Sequence, residues 1–198
     1  METDTSTLQI EEHPWAPFIP DGAKVLIMGT FPPKSNRWSM NFYYPNRIND
    51  FWRVMGIVFY DNPDRFWDSL TKSFRLEDIK DFLTERGIAM NDTGAKVRRL
   101  RDNASDKFLE IVEPVNLSAL MDMMPHCKAI ATTGEKAASV IATLTGTVVP
   151  PTGTSVQTDW QGRKLDIWRM PSTSRAYPLP IAKKAEAYAK MFRSLGIL

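Results

Sequence analysis

The chain has 198 residues, enough for one sizeable hydrophobic core and short for two. Hydrophobic and charged fractions of 43% and 24% exclude a disordered or fibrous chain, and a formal charge of +2 does not by itself indicate nucleic-acid binding. Cys127 is the only cysteine, which excludes a disulfide framework and any multi-cysteine metal site, and no apolar run has the length of a membrane span.

The opening METDTSTLQIEEH is polar and acidic, unlike a secretory signal, so a cytoplasmic location is expected. HPWAPFIPDG follows, rich in proline and aromatics, and is expected to wrap a surface rather than form a strand. Residues 1–23 are therefore read as an N-terminal arm and 24–198 as a single domain. Residues 24–31 read as a buried strand closed by Pro32-Pro33. Asn46 is a candidate cap for a helix starting at Arg47, in which Ile48, Phe51, Trp52, Met55, Val58 and Phe59 recur at helical spacing. Residues 64–70 suit a short helical turn, residues 76–86 a longer helix, and GIAMND at 87–92 a strand ending in polar groups. A helix from Asn116 or Ser118 to Met124, an apolar run over 127–133 and a helix over 135–144, with Gly134 at the junction, come next. Residues 155–159 and 164–170 flank Gln161-Gly162 as a β-hairpin. Ile181, Ala185, Tyr188, Ala189, Phe192 and Leu195 form the stripe of a final helix closed by Gly196. Strands separated by helices predict crossover units and a mostly parallel sheet covered on both faces.

Two segments follow the ends of predicted strands, where parallel sheets place their binding sites. The first, residues 29–52, reads GTFPPKSNRWSMNFYYPNRINDFW, and the second, residues 169–176, reads RMPSTSRA. Gly29 and the two prolines give a rigid exit that is not a P-loop. Aromatic faces in loops stack on bases for about 1–3 kcal/mol each. Phe42, Tyr43 and Tyr44 offer such faces; Pro45 predicts an extended backbone at Tyr44, and Phe42 suits either a base wall or a core plug. Asn46 and Asn49 carry amides that donate and accept at once, as reading a base edge requires, although Asn49 in the first turn of the expected helix also suits a structural role. Ser172, Thr173 and Ser174 offer hydroxyls and backbone N–H groups for phosphate, and Arg175 is placed to touch a phosphate or probe a duplex. The basic run KVRRLR at 96–101 is either a solvated face or a phosphate-steering patch. His13 and His126 have no partner at metal-ligand spacing and are read as structural or exposed.

On these residues the chain resembles the uracil-DNA glycosylase superfamily, closest to its hypoxanthine-DNA glycosylase-like and mismatch-specific uracil/thymine-DNA glycosylase branches. The resemblance rests on Gly29-Thr30-Phe31-Pro32, Tyr43-Tyr44, Asn49-Asp50-Phe51-Trp52 and Met170-Pro171-Ser172-Thr173-Ser174. It implies a three-layer α/β/α domain around a central, mainly parallel four-stranded sheet. It also implies a DNA repair enzyme that flips out a deaminated or mismatched base, uracil or hypoxanthine, and hydrolyses its N-glycosidic bond. Neither metal nor cofactor is expected; the expected partner is lesion-containing double-stranded DNA, or single-stranded DNA, bound by a monomer away from any membrane. Asn49 would be catalytic, and Gly29, Thr30, Phe31, Pro32, Phe42, Tyr44 and Asn46 would line the base pocket. Ser172, Thr173 and Ser174 would hold phosphate while Arg175 fills the vacated stack. Phe31 stands where many members carry Asp or Asn to handle water. The alternative is therefore a member that keeps the fold and binds DNA without chemistry.

Overall fold

Side chains alternate faces along a strand, and that alternation divides the core of this protein in two. The computed structural model describes residues 8–101 and 105–198, so the first seven residues of the expected arm lie outside the described part. In chain order the strands and α-helices are β1 (Ile10–Glu12), β2 (Val25–Gly29), α1 (Phe51–Tyr60), β3 (Trp67–Asp68), β4 (Ser73–Phe74), α2 (Leu76–Arg86), β5 (Ile88–Asp92), β6 (Gly94–Arg99), β7 (Leu109–Pro114), α3 (Leu117–Asp122), β8 (Ala129–Thr133), α4 (Glu135–Thr145), β9 (Thr154–Trp160), β10 (Arg163–Met170) and α5 (Ile181–Ser194).

The main sheet runs β5-β2-β8-β10-β9. Its first four strands are mutually parallel and β9 is antiparallel to β10, so the sheet has five strands rather than the expected four. The fifth strand arises from the hairpin at Gln161-Gly162, where both residues have positive φ, as a tight two-residue turn demands. Leu26, Met28, Ile130 and Ile167 face α3 and α4, where Leu117, Leu120 and Ile141 cover them. Val25, Ile27, Met90 and Ala131 face the other way, against Phe51, Trp52 and Met55 of α1, Phe82 of α2 and Tyr188 and Phe192 of α5. Burying each large side chain contributes about 1.5–3 kcal/mol, so a one-residue slip that inverted the faces would be costly. Among the described residues no helix is long and apolar enough to cross a membrane.

A second, antiparallel sheet of order β1-β6-β7 lies beside the cleft described below. The basic run falls mainly in β6, and its charges are answered locally. Lys96 pairs with Glu113 at 2.9 Å, Arg98 with Glu110 at 3.3 Å and Arg99 with Glu11 at 2.8 Å. Exposed pairs of this kind contribute little. Arg99 is different: its side chain is only 6% exposed, and it also donates to the Pro32 carbonyl at 2.6 Å. That guanidinium ties the arm to the loop after β2.

Two local expectations are corrected. α1 starts at Phe51 and not at Arg47, because Asn46 and Asn49 spend their side-chain carbonyls on turns, accepting from the N–H groups of Ile48 and Phe51. Ile48 consequently stands half exposed instead of joining the helical stripe. The helical turn expected at 64–70 is a turn followed by β3, which pairs with β4 through Trp67–Phe74 and Asp68–Ser73.

Candidate active site

The two segments singled out in the sequence meet through their backbones. The Asp50 N–H donates to the Thr173 carbonyl at 2.9 Å, and Asn49 pairs with Ser174 in an isolated antiparallel bridge. Between them opens a cleft of about 1360 Å³ at the carboxyl ends of the parallel strands, walled by Gly29, Thr30, Tyr44, Asn49, Asp92 and Ser172 among others. The second segment is held from beneath. Lys184 of α5, itself buried, donates to the Ser174 carbonyl at 2.8 Å, and the Tyr188 hydroxyl donates to the Pro171 carbonyl at 3.1 Å. Burial lowers the Lys184 pKa; Asp50, 3.9 Å away, opposes that shift and Arg175 adds to it. Arg175 donates through Nε to Asp50 at 2.8 Å, so it rests against the start of α1.

Tyr44 forms one wall. Its ring lies parallel to Phe51, with centroids 3.9 Å apart and planes within 10°, which leaves the opposite face for the cleft. The extended backbone expected before Pro45 is not adopted: Tyr44 has φ +52°. A bulky residue rarely takes this left-handed conformation, and such strain persists only where surrounding contacts over-determine it. Here the Phe51 stack and a 2.7 Å hydrogen bond between the Tyr44 and Thr133 hydroxyls do so. Burial, with the Asp92 charge adding to it, holds the Tyr44 phenol well above its ordinary pKa, so it remains neutral. Phe42 does not reach the cleft. It is buried against Phe18, Tyr43 and Trp52, as the core plug rather than the base wall.

Asn49 is oriented unambiguously. Its Oδ1 accepts from the Phe51 N–H at 2.9 Å, a contact the amide nitrogen cannot make. The donor end, Nδ2, has no partner among the described residues and belongs to a side chain that lines the cleft. Asn46, Gly29, Thr30, Phe31 and Pro32 line it too. On the opposite side, Ser172 Oγ accepts from the Ser174 N–H and Ser174 Oγ from the Ala176 N–H, both at 3.2 Å. Both serine oxygens act as acceptors there, so their O–H donors are available to an incoming acceptor. Thr173 is buried, its carbonyl spent on Asp50. Gly134, with φ +102°, brings the start of α4 against Ser172 in a backbone region essentially confined to glycine.

Three polar residues in or beside this cleft were not among the expected site residues. Asp92 closes β5 next to Gly29; a Cβ on Gly29 would lie 2.7 Å from Asp92 Oδ1 and 3.1 Å from the Tyr44 hydroxyl, so only glycine lets the two approach. His13, read as structural or exposed, is a part-buried structural partner of that carboxylate, with Nε2 2.9 Å from Asp92 Oδ2 and Nδ1 2.9 Å from the Trp15 carbonyl. Burial opposes charge on His13, but the Asp92 hydrogen bond and charge, with the Trp15 carbonyl, outweigh it and raise its pKa. Asp106 stands in the cleft wall at the single 3-10 turn before β7, where Thr30 Oγ1 donates to its Oδ2 at 2.6 Å. Burial raises its pKa and Asp92 adds to the rise, while the Thr30 hydroxyl, Lys136 and Arg99 oppose it. The polar end of GIAMND was the signal for Asp92; the stretch around Asp106 carries no periodicity at all. Phe31 meets His13 edge-on at 5.4 Å and lies 5.6 Å beneath the Arg99 guanidinium. Among the described residues no group of three or more His, Cys, Asp or Glu could hold a metal ion.

No family model matches the chain, and no curated protein does. Among solved structures it is similar to the solution NMR structure of a "putative Uracil DNA glycosylase" from Methanosarcina acetivorans, with a TM-score of 0.65 and 22% identity over 95% of this chain and 99% of that one. At that identity the likeness is one of fold: the three layers and mostly parallel sheet form a uracil-DNA-glycosylase-like architecture.

Proposed function

We propose that this protein is a DNA glycosylase that extrudes a deaminated or mismatched base, uracil or hypoxanthine, and hydrolyses its N-glycosidic bond. The observation that carries the reading is the convergence, in one cleft of a uracil-DNA-glycosylase-like fold, of the Tyr44 wall, the unpartnered Asn49 Nδ2 and the hydroxyls of Ser172 and Ser174. At about 1360 Å³ the cleft exceeds the range of about 300–1,000 Å³ usual for small-molecule pockets, which favours a nucleotide still attached to its strand.

Extrusion costs a few kcal/mol, least for a mismatched base, and stacking on Tyr44 offsets about 1–3 kcal/mol of it. As the C1′–N bond lengthens, positive charge develops on the sugar and negative charge on the base. Asn49 Nδ2, already aimed by the Phe51 N–H, donates to that anion without reorganising. Ser172 and Ser174 hold the flanking phosphates, and Arg175 exchanges Asp50 for the space left in the stack.

The test is incubation with end-labelled duplexes containing uracil or hypoxanthine, followed by alkali. Strand breaks at the lesion support the reading. The second reading, a DNA-binding protein without chemistry, is favoured by Phe31, whose ring packs on His13 and Arg99 and offers water no polar atom. Steeply salt-dependent binding of the same duplexes with no abasic product would establish it instead.

A further inference from the structure

Hydrolysis of an N-glycosidic bond needs a water at C1′ and, beside it, a group that stabilises the cationic sugar and accepts the water's proton. A carboxylate does both. The loop after β2 supplies only Phe31 at the expected place, and Asn49 has committed its carbonyl to the Phe51 N–H. Asp92 has its Oδ2 on His13 and its Oδ1 beside Gly29 and Tyr44, at the strand ends where the base would stack. Of the other carboxylates in the cleft wall, Glu110 pairs with Arg98 and the exposed Glu135 with Arg169, which leaves Asp106.

Resting on the glycosylase reading above, we propose that Asp106 is the catalytic base that activates the hydrolytic water, held at the cleft by the 3-10 turn before β7 and fixed there by Thr30. One of its oxygens, Oδ2, is held by the Thr30 hydroxyl, and Oδ1 has no hydrogen-bond partner among the described residues. Thr30 is buried and adjoins Gly29, so the carboxylate is anchored directly to the first motif. The charged and titratable groups facing Asp106 come from three elements and a loop: Asp92 ends β5, Arg99 belongs to β6, Lys136 to the first turn of α4, and the neutral Tyr44 phenol lies in the loop before α1. The two cations allow an anion to persist next to a phosphate backbone.

In the step itself, the water oxygen bonds to C1′ while its proton passes to Asp106 Oδ1. The C1′–N bond breaks and its electron pair leaves with the base, whose anion receives the hydrogen bond from Asn49 Nδ2. The base then takes a proton from solvent and Asp106 returns one to solvent, giving a free base and an abasic sugar with a C1′ hydroxyl. Burial and Asp92 make Asp106 a stronger base than an ordinary aspartate. The acid limb of the pH–rate profile should therefore lie above the ordinary aspartate range.

Single-turnover rates on uracil- and hypoxanthine-containing duplexes test this. Asp106→Asn should lower the rate about 10²–10⁴-fold and abolish the acid limb, while its melting temperature and its binding of the same duplexes persist. Asp106→Ala should recover part of its rate in sodium formate, which a purely structural role would not permit. An active wild type whose acid limb and rate survive in Asp106→Asn overturns the inference alone, as does an Asp106→Ala that formate fails to rescue. A wild type that releases neither base overturns the glycosylase reading, and this inference with it.

Discussion

Asn49 offers a substitution that separates catalysis from structure, because its two ends do different things. Asn49→Asp keeps an oxygen to accept from the Phe51 N–H and puts negative charge near the start of α1, where the helix dipole favours it. It also replaces the Nδ2 donor with an anion on the side that meets the departing base in the proposed reaction. Asn49→Ala removes both ends. Losing a preorganised donor to a developing anion costs about 2.7–4 kcal/mol, or about 10²–10³ in rate, and both variants should lose at least that much. Stability should divide them. The Phe51 hydrogen bond is worth about 1 kcal/mol, which for a chain of this size lowers the melting temperature of Asn49→Ala by about 2–4 °C and leaves Asn49→Asp near the wild type. The assays are single-turnover base release and thermal unfolding on the same preparations. An Asn49→Asp protein that releases base at the wild-type rate would refute the donor role and leave Asn49 as a turn residue.

The other wall and the loops yield further expectations. Tyr44→Phe should keep the Phe51 stack and lose about 1 kcal/mol of stability with the Thr133 bond, whereas Tyr44→Ala should also lose about 1–3 kcal/mol of binding to lesion DNA; equal binding by the two would remove the stacking role. His13 has a folded pKa raised above 6.5, so its contribution to stability is complete below pH 6.5 and is lost as pH rises through the folded value. The stability gap between wild type and His13→Asn in urea should therefore shrink toward alkaline pH, and a gap that widens would contradict the His13–Asp92 pairing. Lys184→Met should cost about 1.5–3 kcal/mol in urea unfolding by stranding the Ser174 carbonyl, and should weaken DNA binding with the loosened 172–174 segment; unchanged binding would show that the segment needs no support from α5.

What the sequence showed and what it hid follow a physical division. α2 spans the residues its periodicity marked, and the β9–β10 hairpin turns at Gln161-Gly162, because helical stripes and two-residue turns are encoded within a few neighbouring positions. Asn46 was the expected cap of a helix from Arg47, whereas Asn46 and Asn49 hold turns and α1 starts at Phe51. A partner more than 100 residues away reinforces that start, where the Thr173 carbonyl accepts from the Asp50 N–H. The same holds for Tyr44, whose backbone obeys the Phe51 and Thr133 contacts rather than Pro45. The sheet β1-β6-β7 joins charged strands by backbone pairing and carboxylate–cation contacts, with too little apolar alternation to mark it. That hidden sheet has a consequence for the cleft. His13 directly follows β1, and Asp106 lies in the turn that leads into β7, so two polar groups absent from the expected site flank the element the sequence also hid. Phe31 packs edge-on against His13, just after β1, and beneath Arg99 of β6. Asp106, in the 3-10 turn that leads into β7, stands at the neighbouring Thr30.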